Sequence, residues 1–247
     1  MPDHSTPVAP SSVRFVRSRN LILCRLPISE ERRLLRELTL VDLPSGAVLS
    51  SGTEPHKYVY FPVSGTVSTL ASTREGESVE VSILGREGVA GWCRFLGEGP
   101  VIHRTVVQHA GTGLRGRLAT FREEFDRGHA FARLVQSFLY LQVMQISQSV
   151  ICNRVHATEQ RLARWLLASA DRLEREQLQL TQEYLGQMLG AQRSTVTVTA
   201  GELQRRGLID YSRGNVHIRN RVGLEKVACE CYGVVRSVYE QVLAQHD

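Results

Sequence analysis

Between Leu38 and Leu118 the apolar residues come in short runs of Val, Ile, Leu and Tyr, each closed by a glycine-containing turn, as in VDLPSG, HKYVYFPVSGTVSTL, REGESVEVSILGREG and HRTVVQHAGTG. Runs punctuated in this way predict a compact antiparallel β-roll, jelly-roll-like. Gly46, Gly52, Gly65, Gly76, Gly85, Gly88 and Gly111 read as its turn residues, so no phosphate loop is needed to explain them. Near Ala119 the spacing becomes helical. From Ala130 to Val155 there is neither proline nor glycine, which predicts a single helix roughly 39 Å long, too long for the interior of one small domain. Leu134, Phe138 and Leu141 continue into Gln145, Gln148, Cys152 and Val155 at near-heptad positions, while Phe131, Val135, Leu139 and Ile146 mark a second face. Two apolar faces need two partners, which points to the roll on one side and a second copy of the chain on the other; packing on the roll alone is the simpler alternative.

A further helix from about Thr158 carries Leu162, Trp165, Leu166 and Ala170 on one side, with a hinge expected between Asn153 and Ala157. The stretch LTQEYLGQMLGAQRSTVTVTAGELQRRGLI, residues 180–209, then reads as two short helices meeting at Gly190. Thr181 supplies a cap, Leu185, Met188 and Leu189 an apolar face, Gly186 room for a second helix, and Gly190 the positive φ that stops the first. The second helix, from about Gln192, would bury Val196 and Leu203 and leave Gln192, Arg193, Ser194, Thr195 and Thr197 near its exposed leading end. That is the layout of a helix-turn-helix whose leading end enters a DNA major groove. Arg193 has the planar fork that pairs with guanine and Gln192 the amide that pairs with adenine, although either could hold phosphates instead. An ordinary pair of packed helices would show the same spacing, and VTVTAG is a poor helix former that only tertiary packing would hold.

Downstream, Gly207 is placed to end the helix; Leu208, Ile209 and Tyr211 form a short strand, Ser212–Asn215 a turn, and Val216, His217 and Ile218 the returning strand. The hairpin makes this a winged helix-turn-helix, with Arg213 at a tip suited to the phosphate backbone. Six arginines from Arg193 to Arg221 stand against Glu202 and Asp210, so positive charge is concentrated here. His217 reads as a wing residue rather than a metal ligand, since no second ligand sits at zinc spacing. Leu224, Val227, Ala228, Val234, Val235, Val238 and Val242 predict a last amphipathic helical segment interrupted near Gly233.

The fold class is therefore α+β: an N-terminal tail and extension over 1–30, the roll over 31–128, the long dimerisation helix and hinge over 129–156, and the winged domain with its helical extension over 157–247. The chain of 247 residues suits two small domains. Its net charge of +5 is too mild to identify a nucleic-acid binder by itself. No segment approaches the roughly 20 apolar residues of a membrane helix, and the first residues, with Pro2, Pro7 and Pro10, lack the apolar centre of a signal peptide. A soluble cytoplasmic protein is expected, with a mobile tail and no membrane partner. Cys24, Cys93, Cys152, Cys229 and Cys231 are odd in number and form no CxxC pair, so neither a disulfide framework nor a metal or iron–sulfur site is expected; they read as buried thiols, with Cys93 and Cys152 the candidates for redox sensing. No nucleophile–base arrangement or pair of carboxylates gives a coherent catalytic site.

The succession of roll, long helix and winged helix-turn-helix resembles the Crp/Fnr family of bacterial transcription regulators. The resemblance is carried by AVLSSGTEPHKYVYFPVSGTVSTL, ATEQRLARWLL and LTQEYLGQMLGAQRSTV. It implies a homodimer that binds double-stranded DNA at an inverted repeat, with RNA polymerase as a further partner. In the family's cyclic-AMP-binding members, a Gly-Glu pair and a later Arg-Ser pair hold the nucleotide. Here Gly91 matches the glycine and Arg104-Thr105 the later pair, but Trp92 occupies the glutamate position, and an indole cannot accept the ribose hydrogen bond. The resemblance thus leaves Gly91, Arg104 and Thr105 as the effector-binding residues for some small molecule other than cyclic AMP. Arg104 reads equally well as a surface residue. Family oxygen sensors bind iron–sulfur clusters through N-terminal cysteines, whereas this N-terminal region has only Cys24; no haem pattern is recognisable, and His103 and His109 read as polar strand residues. Ser194 stands where several members carry glutamate, so their operator does not transfer. A ligand-binding protein that regulates another protein instead of DNA is the alternative.

Overall fold

A computed structural model describes residues 19–51, 57–97, 102–180 and 182–244. The proline-bearing tail, Gly52 and the Thr181 cap lie outside them. The chain divides into two compact units, one built from residues up to Ser68 and from Leu84–Tyr140, the other from Thr69–Ile83 and from Leu141 onward. The division runs through a strand and through the long helix.

The first unit holds a 3-10 turn (Leu23–Arg25), α1 (Ile28–Leu35), β1 (Leu38–Leu43), β2 (Val48–Ser50), β3 (Tyr58–Pro62), the start of β4 (Thr66–Ser72), α2 (Cys93–Leu96), β6 (His103–His109), β7 (Gly111–Arg117), α3 (Leu118–Asp126) and the start of α4 (Ala130–Val155). Strands β1, β7 and β3 form one antiparallel sheet in that order, with Leu114 registered against both Leu40 and Phe61. Strands β2, β6 and β4 are neighbours in a second. Alternation puts Val59 and Phe61 inside, where Phe61 meets Phe121 at 5.1 Å between ring centroids and Phe131 meets Phe121 at 5.7 Å. Not every glycine is there for a turn. A side chain at Gly88 would come within 2.3 Å of the Phe138 ring, so this position exists for the close approach of α4.

The boundary expected at residue 30 falls within this unit. Asn20 is fully buried; its amide donates to the carbonyls of Pro62 and Gly88, and its side-chain oxygen accepts from the N–H groups of Ile22 and Leu23. Ile22, Leu23 and Leu26 are buried beside it, so the segment seals the roll. From α1, the Glu30 carboxylate accepts hydrogen bonds from the N–H groups of Ala130 (3.1 Å) and Phe131 (2.8 Å). A negative charge on the free donors of a helix start is favourable twice over, through the bonds and through the helix dipole.

The long helix spans Ala130–Val155, a stretch with neither proline nor glycine to interrupt it. Its faces differ from the expected seams. Phe131, Leu134, Val135, Phe138, Leu139 and Leu141 are all buried, whereas Tyr140, Val143, Val150, Ile151 and Val155 form an exposed apolar stripe. Periodicity merges the two faces because burial at a given position depends on what packs there.

The second unit contains the end of β4 paired with β5 (Ser78–Leu84), the remainder of α4, α5 (Thr158–Leu173), β8 (Gln177–Gln179), α6 (Gln182–Leu189), α7 (Arg193–Arg205), β9 (Ile209–Ser212), β10 (Asn215–Ile218), α8 (Arg221–Val227) and α9 (Cys231–Ala244). Helix α5 buries Leu162, Trp165, Leu166 and Ala170, as its spacing requires, and Trp165 Nε1 donates to Glu80 of the β4–β5 hairpin at 2.9 Å. The C-terminal segment breaks between Val227 and Cys231, not at Gly233, which lies inside α9. Asn220 explains the separate start of α8, because its side chain accepts from the Gly223 N–H.

In the first unit Arg33 grips both carboxylate oxygens of Glu124, itself 3 % exposed. The Arg33 hydrogen bonds hold the Glu124 carboxyl below its usual range, against the opposing effect of burial. A depressed folded-state pKa gives stability that is present at neutral pH and is lost as pH falls through that value. Glu124→Gln is therefore expected to cost about 1–2 kcal/mol at pH 7, discounted because Arg33 is 41 % exposed, and less at acid pH. Urea unfolding of both chains at pH 7 and in acid measures the difference.

Candidate nucleic-acid interface

Helix α6 is stopped by Gly190 at φ +56°, and a side chain at Gly186 would meet the Ala191 carbonyl at 2.9 Å, so both glycines serve the tight turn into α7. Val196, Ala200 and Leu203 bury one face of α7, which is what holds the weak helix-forming run. Thr197 and Thr199 fold their hydroxyls back onto the carbonyls of Arg193 and Thr195 at 2.9 and 2.8 Å. At the leading end of α7 Gln192, Arg193, Ser194, Thr195 and Thr197 are exposed. Gln192 is the N-cap residue, yet its side chain makes no capping bond. The first turn has no acidic residue and begins with Arg193, a cation at the positive end of the helix dipole. Such an arrangement is locally unfavourable unless something negative approaches it.

The wing is three-stranded, in the order β8-β10-β9; β8 is not apparent in the sequence because three residues carry too little alternation. At its tip Arg213 (φ +48°) and Gly214 (φ +79°) form the two-residue turn between Ser212 and Asn215. Both central residues have positive φ, the turn that matches strand twist, and glycine or asparagine adopts it more easily than arginine. His217 lies in β10 with its Nε2 3.3 Å from Gln177 Nε2, a wing residue.

Charge in this region is sorted by pairing. Arg206 reaches Glu159 at 2.7 Å and Arg221 reaches Glu176 at 2.9 Å, Asp171 and Glu225, while Arg205 pairs with Glu202 and Arg219 with Asp210. Of the six arginines from 193 to 221, only Arg193 and Arg213 have no acidic partner among the described residues. One stands at the head of α7 and the other at the wing tip. Burial pushes the Tyr211 phenol up, with the Arg193 charge opposing it, which places Arg193 within electrostatic reach of β9. Val198 joins this face unforeseen, 71 % exposed one helical turn after Ser194; the i, i+4 spacing was the available signal. An open cleft lies beside this edge, lined by Ser72, Glu77 and Val79 of the β4–β5 hairpin and by Gly186, Gly190 and Gln192.

A family model described as the Crp-like helix-turn-helix domain matches residues 160–227. The second unit carries a Crp-like helix-turn-helix domain. Around it the chain has the fold of the Crp/Fnr-type transcription regulators. FixK2 from Bradyrhizobium japonicum is 18 % identical with a TM-score of 0.66, the match covering 78 % of this chain and 98 % of that one. CLP from Xanthomonas campestris, a c-di-GMP-responsive global regulator, is 14 % identical with a TM-score of 0.65, covering 78 % and 99 %. A Crp/Fnr-family transcriptional regulator from Thermus thermophilus is 18 % identical with a TM-score of 0.61, covering 76 % and 97 %. No curated protein matches the chain in sequence. No helix among the described residues is long and apolar enough to cross a membrane.

In the roll, Gly91 has φ +89° and leads into α2, and Trp92 is 7 % exposed, an indole in the roll interior. Arg104 is exposed at the start of β6, whereas Thr105 is buried and registered against Ser50. His103 is half-buried and His109 buried on the same strand, with Thr66 Oγ1 2.8 Å from His109 Nδ1. Desolvation lowers the His103 pKa. Burial also raises the Cys93 thiol to about 11, which disfavours the thiolate needed for redox sensing there. One grouping is not visible in the sequence. Although no ligand spacing suggests a metal site, Cys152, His156, Cys229 and Cys231 of the second unit converge with their ligand atoms all within 4.8 Å of one another. The two pairs lie on either side of the Crp-like domain in sequence, where a search for local spacing cannot join them.

The strained position of Arg213 separates stability from binding. Arg213→Asn is expected to raise the unfolding free energy by roughly 1 kcal/mol, because asparagine tolerates the left-handed region. The same change removes a cation from the wing tip, so DNA affinity should fall to a similar degree for all sequences. Thermal unfolding and salt-dependent binding curves, with a slope smaller by about 1 per lost phosphate contact, read the two effects separately.

Proposed function

We propose that this chain is a sequence-specific DNA-binding transcription regulator that works as a homodimer in the cytoplasm. The observation that carries the reading is the pair of acid-free arginines, Arg193 and Arg213, on the exposed edges of a Crp-like domain whose neighbouring arginines are neutralised. Arg193 and Gln192 face the major groove as base readers, with Ser194, Thr195 and Thr197 beside them and the Val198 methyl groups available to a thymine methyl. Arg213 holds the backbone and sets register. The exposed stripe of Tyr140, Val143, Val150, Ile151 and Val155 on α4 is the dimer seam. Gly91, Arg104 and Thr105 mark the effector region of the roll; the buried Trp92 supports a ligand other than cyclic AMP. RNA polymerase is the partner through which a DNA-bound dimer would act on transcription.

Selection of genomic fragments by the purified chain should recover a pseudo-palindrome with half-sites about one helical turn, roughly 34 Å, apart. Recovery of no inverted repeat would overturn the proposal, and saturable nucleotide binding without any DNA binding would favour regulation of another protein. Arg193→Ala should cost about 1–3 kcal/mol and relax the preference at one base position, whereas uniform weakening would reassign it to phosphate. Val150→Glu combined with Ile151→Glu should shift sedimentation from dimer to monomer while the helical circular dichroism persists; a double variant that stays dimeric places the seam elsewhere.

A further inference from the structure

The last turn of α4 carries Cys152, and His156 follows directly after the helix with its N–H donating to the Cys152 carbonyl at 3.2 Å, which keeps the two on one face of the chain. The junction of α8 and α9 carries Cys229 and Cys231. All three cysteines are buried, at 3 % exposure or less, and the His156 side chain is 12 % exposed. Cys152 Sγ lies 3.5 Å from Cys229 Sγ, and Cys231 Sγ lies 3.5 Å from His156 Nδ1.

These separations fit one small ion. Zinc bound tetrahedrally at about 2.3 Å to sulfur and about 2.0 Å to nitrogen requires its ligand atoms to be about 3.5–3.8 Å apart. A spread of no more than 4.8 Å suits a single ion better than a multi-iron cluster, whose cysteines must surround a larger body. The surroundings are also those of a ligand set. His156 Nε2 is 3.1 Å from the Glu230 carboxylate, which fixes the proton on Nε2 and leaves the Nδ1 lone pair toward Cys231. Gln148 Nε2 donates to Cys231 Sγ at 3.1 Å. Three thiolates and one divalent ion carry a net charge of about −1, by the ligand charges alone. Arg161 and Arg164 of α5 both act electrostatically with this group, and the Nε atom of each is buried with no hydrogen-bond partner among the described residues.

We infer that Cys152, His156, Cys229 and Cys231 form a structural zinc site that clamps the end of α4 to the α8–α9 junction. Four protein ligands close the coordination shell, so the ion has no open position for a substrate. Binding releases the thiol protons and links two segments of the second unit that no local motif connects. The site stands independently of the DNA-binding reading, and its test uses no DNA.

The full chain, purified with a reductant, stripped with a chelator and desalted, would be titrated with cobalt(II) and then zinc(II). The expected result is one cobalt per chain, with the intense visible bands of a tetrahedral ion and a thiolate-to-cobalt charge-transfer band, both bleached by one equivalent of zinc. Zinc should raise the thermal midpoint of the stripped chain. Cys229→Ser should lose the thiolate bands; because a buried cysteine variant can misfold, Glu230→Gln provides the second arm. Glu230→Gln keeps all four ligands and should weaken metal affinity about 10- to 100-fold at unchanged stoichiometry. A reduced, folded chain that takes up no cobalt, or binds it octahedrally without thiolate bands, overturns the inference. So does a chain that binds no metal and in which mass spectrometry finds Cys152 joined to Cys229, since the cluster would then be a redox pair.

Discussion

The hydrogen bonds from Ala130 and Phe131 to the Glu30 carboxylate decide where α4 begins, and much of the molecule follows from that beginning. Phe131, in the first turn, is locked among Phe61, Phe95 and Phe121, so the helix has little freedom to slide or rotate at this end. A start displaced by one residue would turn every later position by about 100°. Phe138 would then swing away from the space that Gly88 leaves for it, and the buried Leu134 would turn toward solvent. A cap formed by a residue one hundred positions earlier in the chain thus sets the phase of the helix within the first unit.

The parts of this fold legible in the sequence are those governed by local rules. Gly128, the last glycine before a long run without proline or glycine, marks the start of α4, alternating residues mark the strands of the roll, and Gly190 and Gly207 mark helix ends. What is not legible depends on partners distant in sequence. The seam through Leu134, Phe138 and Leu141 is covered within the chain, while Val143 and Val150 remain exposed, a distinction that periodicity cannot make. Asn20 is polar, yet it is buried because the carbonyls of Pro62, at the end of β3, and of Gly88 both need its amide. The four ligand-type residues near the end of α4 are hidden in the same way, since only folding brings the two pairs together.

Within the Crp-like domain, most arginines are structural. Arg221 alone gathers Asp171, Glu176, Glu225 and the Tyr232 hydroxyl, tying α8 to the end of α5 and the start of α9. The chain's modest net charge therefore understates how positive the exposed edge at the head of α7 and the wing tip is, since neutralised side chains contribute little field there. Composition alone could not reveal this. The residues that break local preference, a cation at the head of α7 and an arginine in a left-handed turn, are also the ones left without acidic partners among the described residues. Departures of this kind concentrate where a site has been selected for something other than stability.

The bond from Trp165 to Glu80 has a spectroscopic side. The chain has two tryptophans, and they fall one to each unit: Trp92 in the roll and Trp165 beneath the β4–β5 hairpin. Both are buried, but only Trp165 has its indole N–H held by a carboxylate in the described structure. Each unit therefore carries its own native fluorophore, with a different polarity around the ring, and replacing either one by phenylalanine leaves a chain whose emission reports the other unit alone.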